Sequence, residues 1–322
     1  ETELEELYIN ATGTGDVDLS CVETVNGNFE VENSNASHID LSGLQSVGGD
    51  TYIHENDDLL TVDMSALVSL GGYLNISSND ELTGLDLQSL ETIDGELYMS
   101  SNEDFEDFNL DALQSVESFY MNSNNALALL SMPALEEIEG SIELQSNSGL
   151  EEFSAPSLRT VSGSLSIRYN YYVEVLDLSG LTEVESSIEM EYNSALESLQ
   201  MGSLESVSSS FYIYQNESLE TIDLESLSEV DSGFYIYYNR DLTDLNLDNL
   251  TEVQSSLYLY ENDSLETLSM PSLGEVGSSM TVSYNESLLE LSAPVLSSLG
   301  SNLYLQDNPD LETVDLSSLT CV

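Results

Sequence analysis

The stretch DSGFYIYYNRDLTDLNLDNLTEV, residues 231–253, is the unit on which the rest of the 322-residue chain is a variation. Its apolar residues fall at Phe234, Ile236, Leu242, Leu245, Leu247, Leu250 and Val253, in two alternating pieces, FYIY and LNL, on either side of Asn239. Alternation with a period of two marks a strand with one buried face, and the polar pieces between are too short for a helix. The unit reads as strand, corner, strand, corner and a short third side. It cannot bury its apolar face alone, so it needs copies stacked above and below it.

The copies run from end to end. Taking the asparagine as marker, the column is Asn33, Asn56, Asn79, Asn102, Asn124, Asn147, Asn170, Asn193, Asn216, Asn239, Asn262, Asn285 and Asn308, with every step 23 residues except one of 22. The preceding strand gives a second column: Leu7, Phe29, Thr51, Leu74, Leu97, Phe119, Ile142, Leu165, Ile188, Phe211, Phe234, Leu257, Met280 and Leu303. Inward apolar positions held in register over so many copies specify an all-β fold, a right-handed parallel β-solenoid of about fourteen 23-residue turns with no helical layer. The whole of 1–322 reads as one domain, with 1–16 an irregular first turn. Its opening strand is expected to hold Leu4, Leu7 and Ile9 together, and one residue is missing between Val31 and Asn33 relative to later turns. An inward amide at the same corner of every turn can satisfy backbone groups that the corner takes out of the ladder, so the asparagine column is expected to be buried and structural. Pro133, Pro156, Pro271 and Pro294 share one slot beside the second strand, where a corner loses no ladder donor.

Composition narrows the partners. Three basic residues stand against 61 acidic ones, for a formal charge of −58. Nucleic acid and anionic membrane surfaces are excluded as partners by that charge, and no apolar run approaches the ~18–20 residues of a membrane span. Self-repulsion on this scale calls for screening by salt or divalent cations; a merely solvated surface is the plainer reading, with loosely bound calcium as its alternative, and no loop has EF-hand spacing and no cofactor is expected. The chain begins at Glu1, for which removal of a secretion signal is the simplest explanation.

Units such as SLESVSSSFYIYQNESLETIDLESL (203–227) and CVETVNGNFEVEN (21–33) resemble the receptor L-domain type of leucine-rich repeat, found in growth-factor receptor ectodomains and fungal cell-wall surface proteins. The resemblance covers essentially the whole chain. It departs from the ordinary leucine-rich repeat, since no helical segment follows the strand and the Asn follows a different strand from the LxxLxL piece. What the family implies is an extracellular, recognitional or structural role.

Candidate chemistry is sparse. Sequons outside the asparagine column, at Asn10, Asn35, Asn75 and Asn249, are the candidate glycosylation sites, whereas those at Asn216, Asn262 and Asn285 fall within the column, where a glycan has no room. Tyrosine is the sharper signal: Tyr212, Tyr214, Tyr235, Tyr237, Tyr258 and Tyr260 form a two-by-three outward array on three consecutive turns. Stacked rings stabilise one another as cross-strand neighbours, and they also make a platform for sugar rings or a protein partner; both readings stand. Asp18, Asp40, Asp63, Asp86, Asp177, Asp223 and Asp315 form an outward acidic column that takes up cations or is spread by water. The acids recur turn after turn with no local break, His38 and His54 are isolated in sequence, and no hydrolase or phosphate-loop motif occurs, so no catalytic residue is expected.

The expected function is a non-enzymatic extracellular structural or adhesive scaffold at the cell surface, secreted and glycosylated. Its partner is itself, head to tail, in a filament, because neither end carries a polar cap. The alternative is a ligand-binding ectodomain that recognises a glycan or a surface protein through the tyrosines. Cys21 and Cys321 are about 60 Å apart at ~4.8 Å per turn, so they cannot bridge within one rigid chain and are candidates for an intermolecular disulfide across such a junction, although Cys321 is three residues off the column of Cys21.

Overall fold

A computed structural model describes residues 2–10 and 15–320. No described residue is helical, and the strands pair in parallel. The chain falls into two compact units, Glu1–Leu158 and Arg159–Val322, and each is a parallel β-solenoid, with about 13 turns of about 23 residues in all. Three strands make a turn. In the turn around residue 257 they are the two-residue Glu252–Val253, the four-residue Leu257–Tyr260 and the three-residue Thr267–Ser269, separated by tight corners.

Register explains why the period is so strict. Phe211, Phe234, Leu257, Met280 and Leu303 are successive register partners in the second unit, as Leu7, Phe29, Thr51, Leu74, Leu97, Phe119 and Ile142 are in the first. Each inward side chain thus lies on its own equivalent in the next turn. Phe211 and Phe234 stack with centroids 5.1 Å apart and planes 10° from parallel, both fully buried. A one-residue slip would turn the inward set out to solvent, which makes the frame self-enforcing.

The corner after each first strand is left-handed. Among the described residues thirteen non-glycine residues have positive φ, all between 48° and 60°, and they occupy a single slot immediately before the column position, which is buried in every turn but the last, where Asn308 is half-buried. This slot corrects the sequence frame at one place. Asn33 has φ 48° and is exposed, so it belongs to the left-handed slot, and the buried column position of that turn is Ser34, whose N–H donates to Asn56 Oδ1 at 2.9 Å. The missing residue therefore lies after Ser34, where Ala36 fills the buried place that Leu59 takes one turn later. The second short step, Asn102 to Asn124, is absorbed by a register shift between Ile93 and Glu96 within the strand Thr92–Ser100. The expected single opening strand is also two: Glu3–Leu4 pairs with Thr24–Val25 as a third side, and Leu7–Asn10 pairs with Phe29–Glu32 as a first strand. The four prolines of the shared slot sit in the turn after the second strand, as expected.

Left-handed φ costs an ordinary residue roughly 1–2 kcal/mol, while glycine adopts it freely at some entropic cost in the unfolded chain. Ser146 (φ 57°) is such a residue with no aromatic partner. Ser146→Gly is expected to stabilise the first unit by about 0.5–1 kcal/mol and Ser146→Val to destabilise it by about 1–2 kcal/mol, read from urea unfolding; equal midpoints for the two variants would remove the strain argument. Close stacking sets the opposite demand at Gly71, where an added Cβ would meet the carbonyl oxygen of Gly48, so the approach of adjacent turns needs glycine there.

Candidate functional site

The outward face of the second unit is built on an internal ladder. Asn239 Nδ2 donates to the carbonyls of Ile213 (3.0 Å) and Tyr237 (3.3 Å), while its Oδ1 accepts the N–H of Asn216 (3.0 Å). The same exchange repeats at Asn193, Asn216 and Asn262, all fully buried. Because the ladder fixes the corner of every turn, the residues before it project at a constant angle from turn to turn.

On this frame the six expected tyrosines come together. Tyr212 and Tyr235 stack at 4.4 Å with planes 8° apart, Tyr214 and Tyr237 at 4.5 Å and 23°, and Tyr258 and Tyr260 at 5.5 Å and 12°. Tyr237 meets Tyr258 edge-on at 5.9 Å and joins the two columns. Four further tyrosines, Tyr169, Tyr192, Tyr238 and Tyr284, extend the set. Tyr169 stacks on Tyr192 (4.9 Å), Tyr192 meets Tyr214 edge-on (5.2 Å), Tyr238 meets both Tyr214 and Tyr260, and Tyr260 meets Tyr284 (4.9 Å). All four occupy the left-handed slot, with φ from 57° to 60°. Their sequence signal was the dipeptide Tyr-Asn at the column, which reading by outward strand positions passes over. The result is one connected sheet of ten rings, most of them half-buried, with Tyr284 42% exposed.

Packing of the rings changes their acidity. Burial, followed by the negative charge of Glu191, pushes the Tyr237 hydroxyl up to about 12. The hydrogen bond shared by the Tyr214 and Tyr192 hydroxyls (3.2 Å), then burial, raises Tyr214, and burial raises Tyr212 and Tyr258. These four hydroxyls therefore stay protonated as donors through the neutral range. Two of the three arginines border the array: Arg168 pairs with Glu189 at 3.5 Å, and Arg240 with Glu261 at 3.1 Å and Asp263 at 3.6 Å. An open groove of about 750 Å³ runs beside Tyr284, lined by Arg240, Glu261, Asp263, Glu286 and Asp307.

The acidic column has a structural use that its recurrence did not disclose. Each aspartate accepts the N–H two residues on: Asp18 from Ser20, Asp40 from Ser42, Asp63 from Ser65, Asp86 from Gln88, Asp177 from Ser179, Asp223 from Glu225 and Asp315 from Ser317, at 3.0–3.1 Å. Each closes a corner as an Asx turn, and Asn109 and Asn246 take the same place with Asp111 and Asp248. The spacing Asp-x-Ser, present at five of the seven, was the available signal. Hydrogen bonds from the Ser20 hydroxyl and N–H hold the Asp18 carboxyl below its ordinary range.

Of the sequon asparagines, Asn10, Asn35 and Asn249 are exposed and Asn75 is half-buried on an outward strand position, whereas Asn216, Asn262 and Asn285 are fully buried. Asn10 Nδ2 donates to Tyr8 Oη at 2.7 Å and Asn249 Nδ2 to the carbonyl of Glu225 at 2.7 Å. Cys21 is exposed with a free thiol, and Cys321 lies outside the described residues. His54, isolated in sequence, lies in the first unit among Glu30, Glu32 and Glu55. No protein-family model matches this chain, and no curated protein matches it.

Proposed function

We propose that the chain is a non-enzymatic extracellular adhesive scaffold, a regular coil that displays the tyrosine sheet of its second unit to a glycan. The observation that carries this reading is the connected sheet of ten tyrosines on a chain whose other outward positions are predominantly polar and acidic. Flat aromatic faces stack on the C–H faces of sugar rings, and the protonated hydroxyls at their rims donate to sugar oxygens. A chain of −58 repels anions, so the ligand class is a neutral or amino-sugar glycan. The resemblance to receptor L domains adds the cell-surface setting. Its finer form, a ligand-binding ectodomain that recognises a surface protein, is the second reading, favoured by the groove beside Arg240. Head-to-tail self-association through parallel strand pairing, the form in which Cys21 would meet Cys321, belongs to the same proposal and is checked by electron microscopy and non-reducing electrophoresis.

The double variant Tyr235→Ser, Tyr237→Ser tests the glycan reading. It is expected to keep the strand signature in circular dichroism, to lose about 1–3 kcal/mol of stability with the broken ring pairs, and to lose binding on an array of neutral and amino-sugar glycans. If the parent chain binds no glycan, the rings serve only to hold turns together, and the scaffold reading without recognition stands.

A further inference from the structure

In a repeat protein a specific site shows as a departure from the repeat, and the sharpest one lies in the shortened turn of the first unit. The last outward position of the first strand is Ser77, Ser100 and Asn122 in three later turns, but Glu32 and His54 in two earlier ones, and these two are register partners. Both histidines of the chain, His38 and His54, flank this shortened turn. His54 is followed by Glu55, held in the left-handed corner at φ 55°. One ligand atom each from Glu32, His54 and Glu55 lies within 4.8 Å of the other two.

From this geometry we propose that Glu32, His54 and Glu55 bind a divalent first-row transition ion of the Zn²⁺ class, clamping two consecutive turns. Zinc–ligand bonds of ~2.0–2.2 Å bring three ligand atoms to roughly 3–4 Å of one another, which small side-chain rotations reach from the present spacing. One imidazole with carboxylates is a mixed nitrogen and oxygen set, the choice of zinc, manganese or iron(II), whereas calcium and magnesium take oxygen alone. The surrounding groups hold the ligands in place. Tyr8 Oη donates to Glu32 Oε2 at 2.7 Å and Asn10 Nδ2 donates to the same oxygen at 3.3 Å. Glu30 Oε1 lies 3.3 Å from His54 Nε2, the carboxylate–imidazole contact that orients the ring at metal sites. His38 supplies the internal contrast, since its Nδ1 is within 2.8 Å of Thr61 Oγ1 and it belongs to no such ligand set among the described residues. Three carboxylates crowded on one face repel one another, and a dication there converts that repulsion into attraction.

The test is calorimetric titration of the full chain with Zn²⁺ in excess calcium, which fills the diffuse acidic atmosphere first. The expected result is one zinc site per chain, weakened more than about tenfold by His54→Gln and by Glu55→Gln and unchanged by His38→Gln. Circular dichroism of each variant checks the fold, and Glu55, exposed at its corner, gives a variant that keeps the strand face intact. Co²⁺ added to the parent chain is expected to give visible absorption of an inner-sphere nitrogen and oxygen set, lost in His54→Gln. Equal zinc binding by the parent and both ligand-site variants, or loss through His38→Gln instead, would overturn the proposal and leave only an ion atmosphere.

Discussion

Replacing Asn239 by Ala lowers the stability of the second unit by about 4 kcal/mol. The side chain is fully buried and serves three backbone groups: the carbonyl of Ile213, the N–H of Asn216 and the carbonyl of Tyr237, which also accepts the N–H of Gln215 at 3.3 Å. A buried backbone group left without a partner costs about 1–3 kcal/mol, so the Ile213 carbonyl and the Asn216 N–H together outweigh any single contact on the outer face. The loss also reaches the next turn, because Asn239 N–H donates to Asn262 Oδ1 at 3.3 Å and the alanine corner has no amide to keep it aligned. Asn239→Asp separates acceptance from donation, since the carboxylate still accepts from Asn216 but gives nothing to Ile213 and adds a buried charge. It is expected to cost at least as much as alanine. Asn246→Ala is the control. Its side chain is half-buried on the second strand, makes a long bond to Asp223 (3.4 Å) and accepts the N–H of Asp248 (3.2 Å) at an exposed corner where water can replace it, so about 1 kcal/mol is lost. Urea unfolding of the three variants decides the matter, and an Asn239→Ala midpoint equal to that of Asn246→Ala would mean that the column is a by-product of the repeat.

The period was legible because burial and register depend on the same residues. Each inward residue stacks on its equivalent, so a substitution at Phe234 is felt by Phe211 and Leu257, and the alternation is retained turn after turn. What sequence reading missed lay where backbone conformation, not burial, sets the pattern. Asn33 matches the column in sequence because asparagine also tolerates left-handed φ, and its φ of 48°, its exposure and the hydrogen bond from Ser34 to Asn56 separate the two slots. The corner tyrosines were missed for the same reason: Tyr169, Tyr192, Tyr238 and Tyr284 precede the column and turn toward the outer face through a left-handed residue, which a strict alternation cannot show. The grouping of Glu32, His54 and Glu55 is a register effect. Glu32 and Glu55 stand one ordinary period of 23 apart, and the turn that is short by one residue brings His54 opposite Glu32, so that both ligands of the next turn face it.

Raising the salt concentration, or lowering the pH toward the mildly acidic range, stabilises this protein, the reverse of the acid response of most. Adjacent turns lie ~4.8 Å apart, where two unit charges in water repel by about 0.9 kcal/mol before screening. The Debye length of ~8 Å at 0.15 M leaves about half of that, and ~3 Å at 1 M leaves about a fifth. Asp18, Asp40, Asp63 and Asp86 are consecutive register partners, as are Glu229, Glu252 and Glu275. These five adjacent pairs regain about 0.3 kcal/mol each on going from 0.15 to 1 M salt, about 1.5 kcal/mol together, before any more distant acid is counted. A rise of at least about 3 °C in Tm is expected. Protonation acts in the same direction. Burial, then the neighbouring Glu189, raises the Glu191 carboxyl above its ordinary 4.5, and burial, then Glu286, raises Asp263 above 3.8. A carboxyl raised in the folded state keeps its proton at a pH where the unfolded chain has lost it, so its contribution is complete below the ordinary value and disappears as the pH climbs through the raised one. Stability therefore increases as pH falls from 7 toward about 4.5. Corner aspartates such as Asp18, held low by the Ser20 hydrogen bonds, set the lower limit, because their contribution is lost as pH falls through that lowered value. Thermal unfolding in dilute solution across pH 7 to 4.5, at 0.15 and 1 M sodium chloride, measures both effects. The largest gain from salt is expected at pH 7, where the most carboxylates are charged, and a Tm that is flat in salt there would show that the acidic surface is too well spread by water for repulsion between turns to matter.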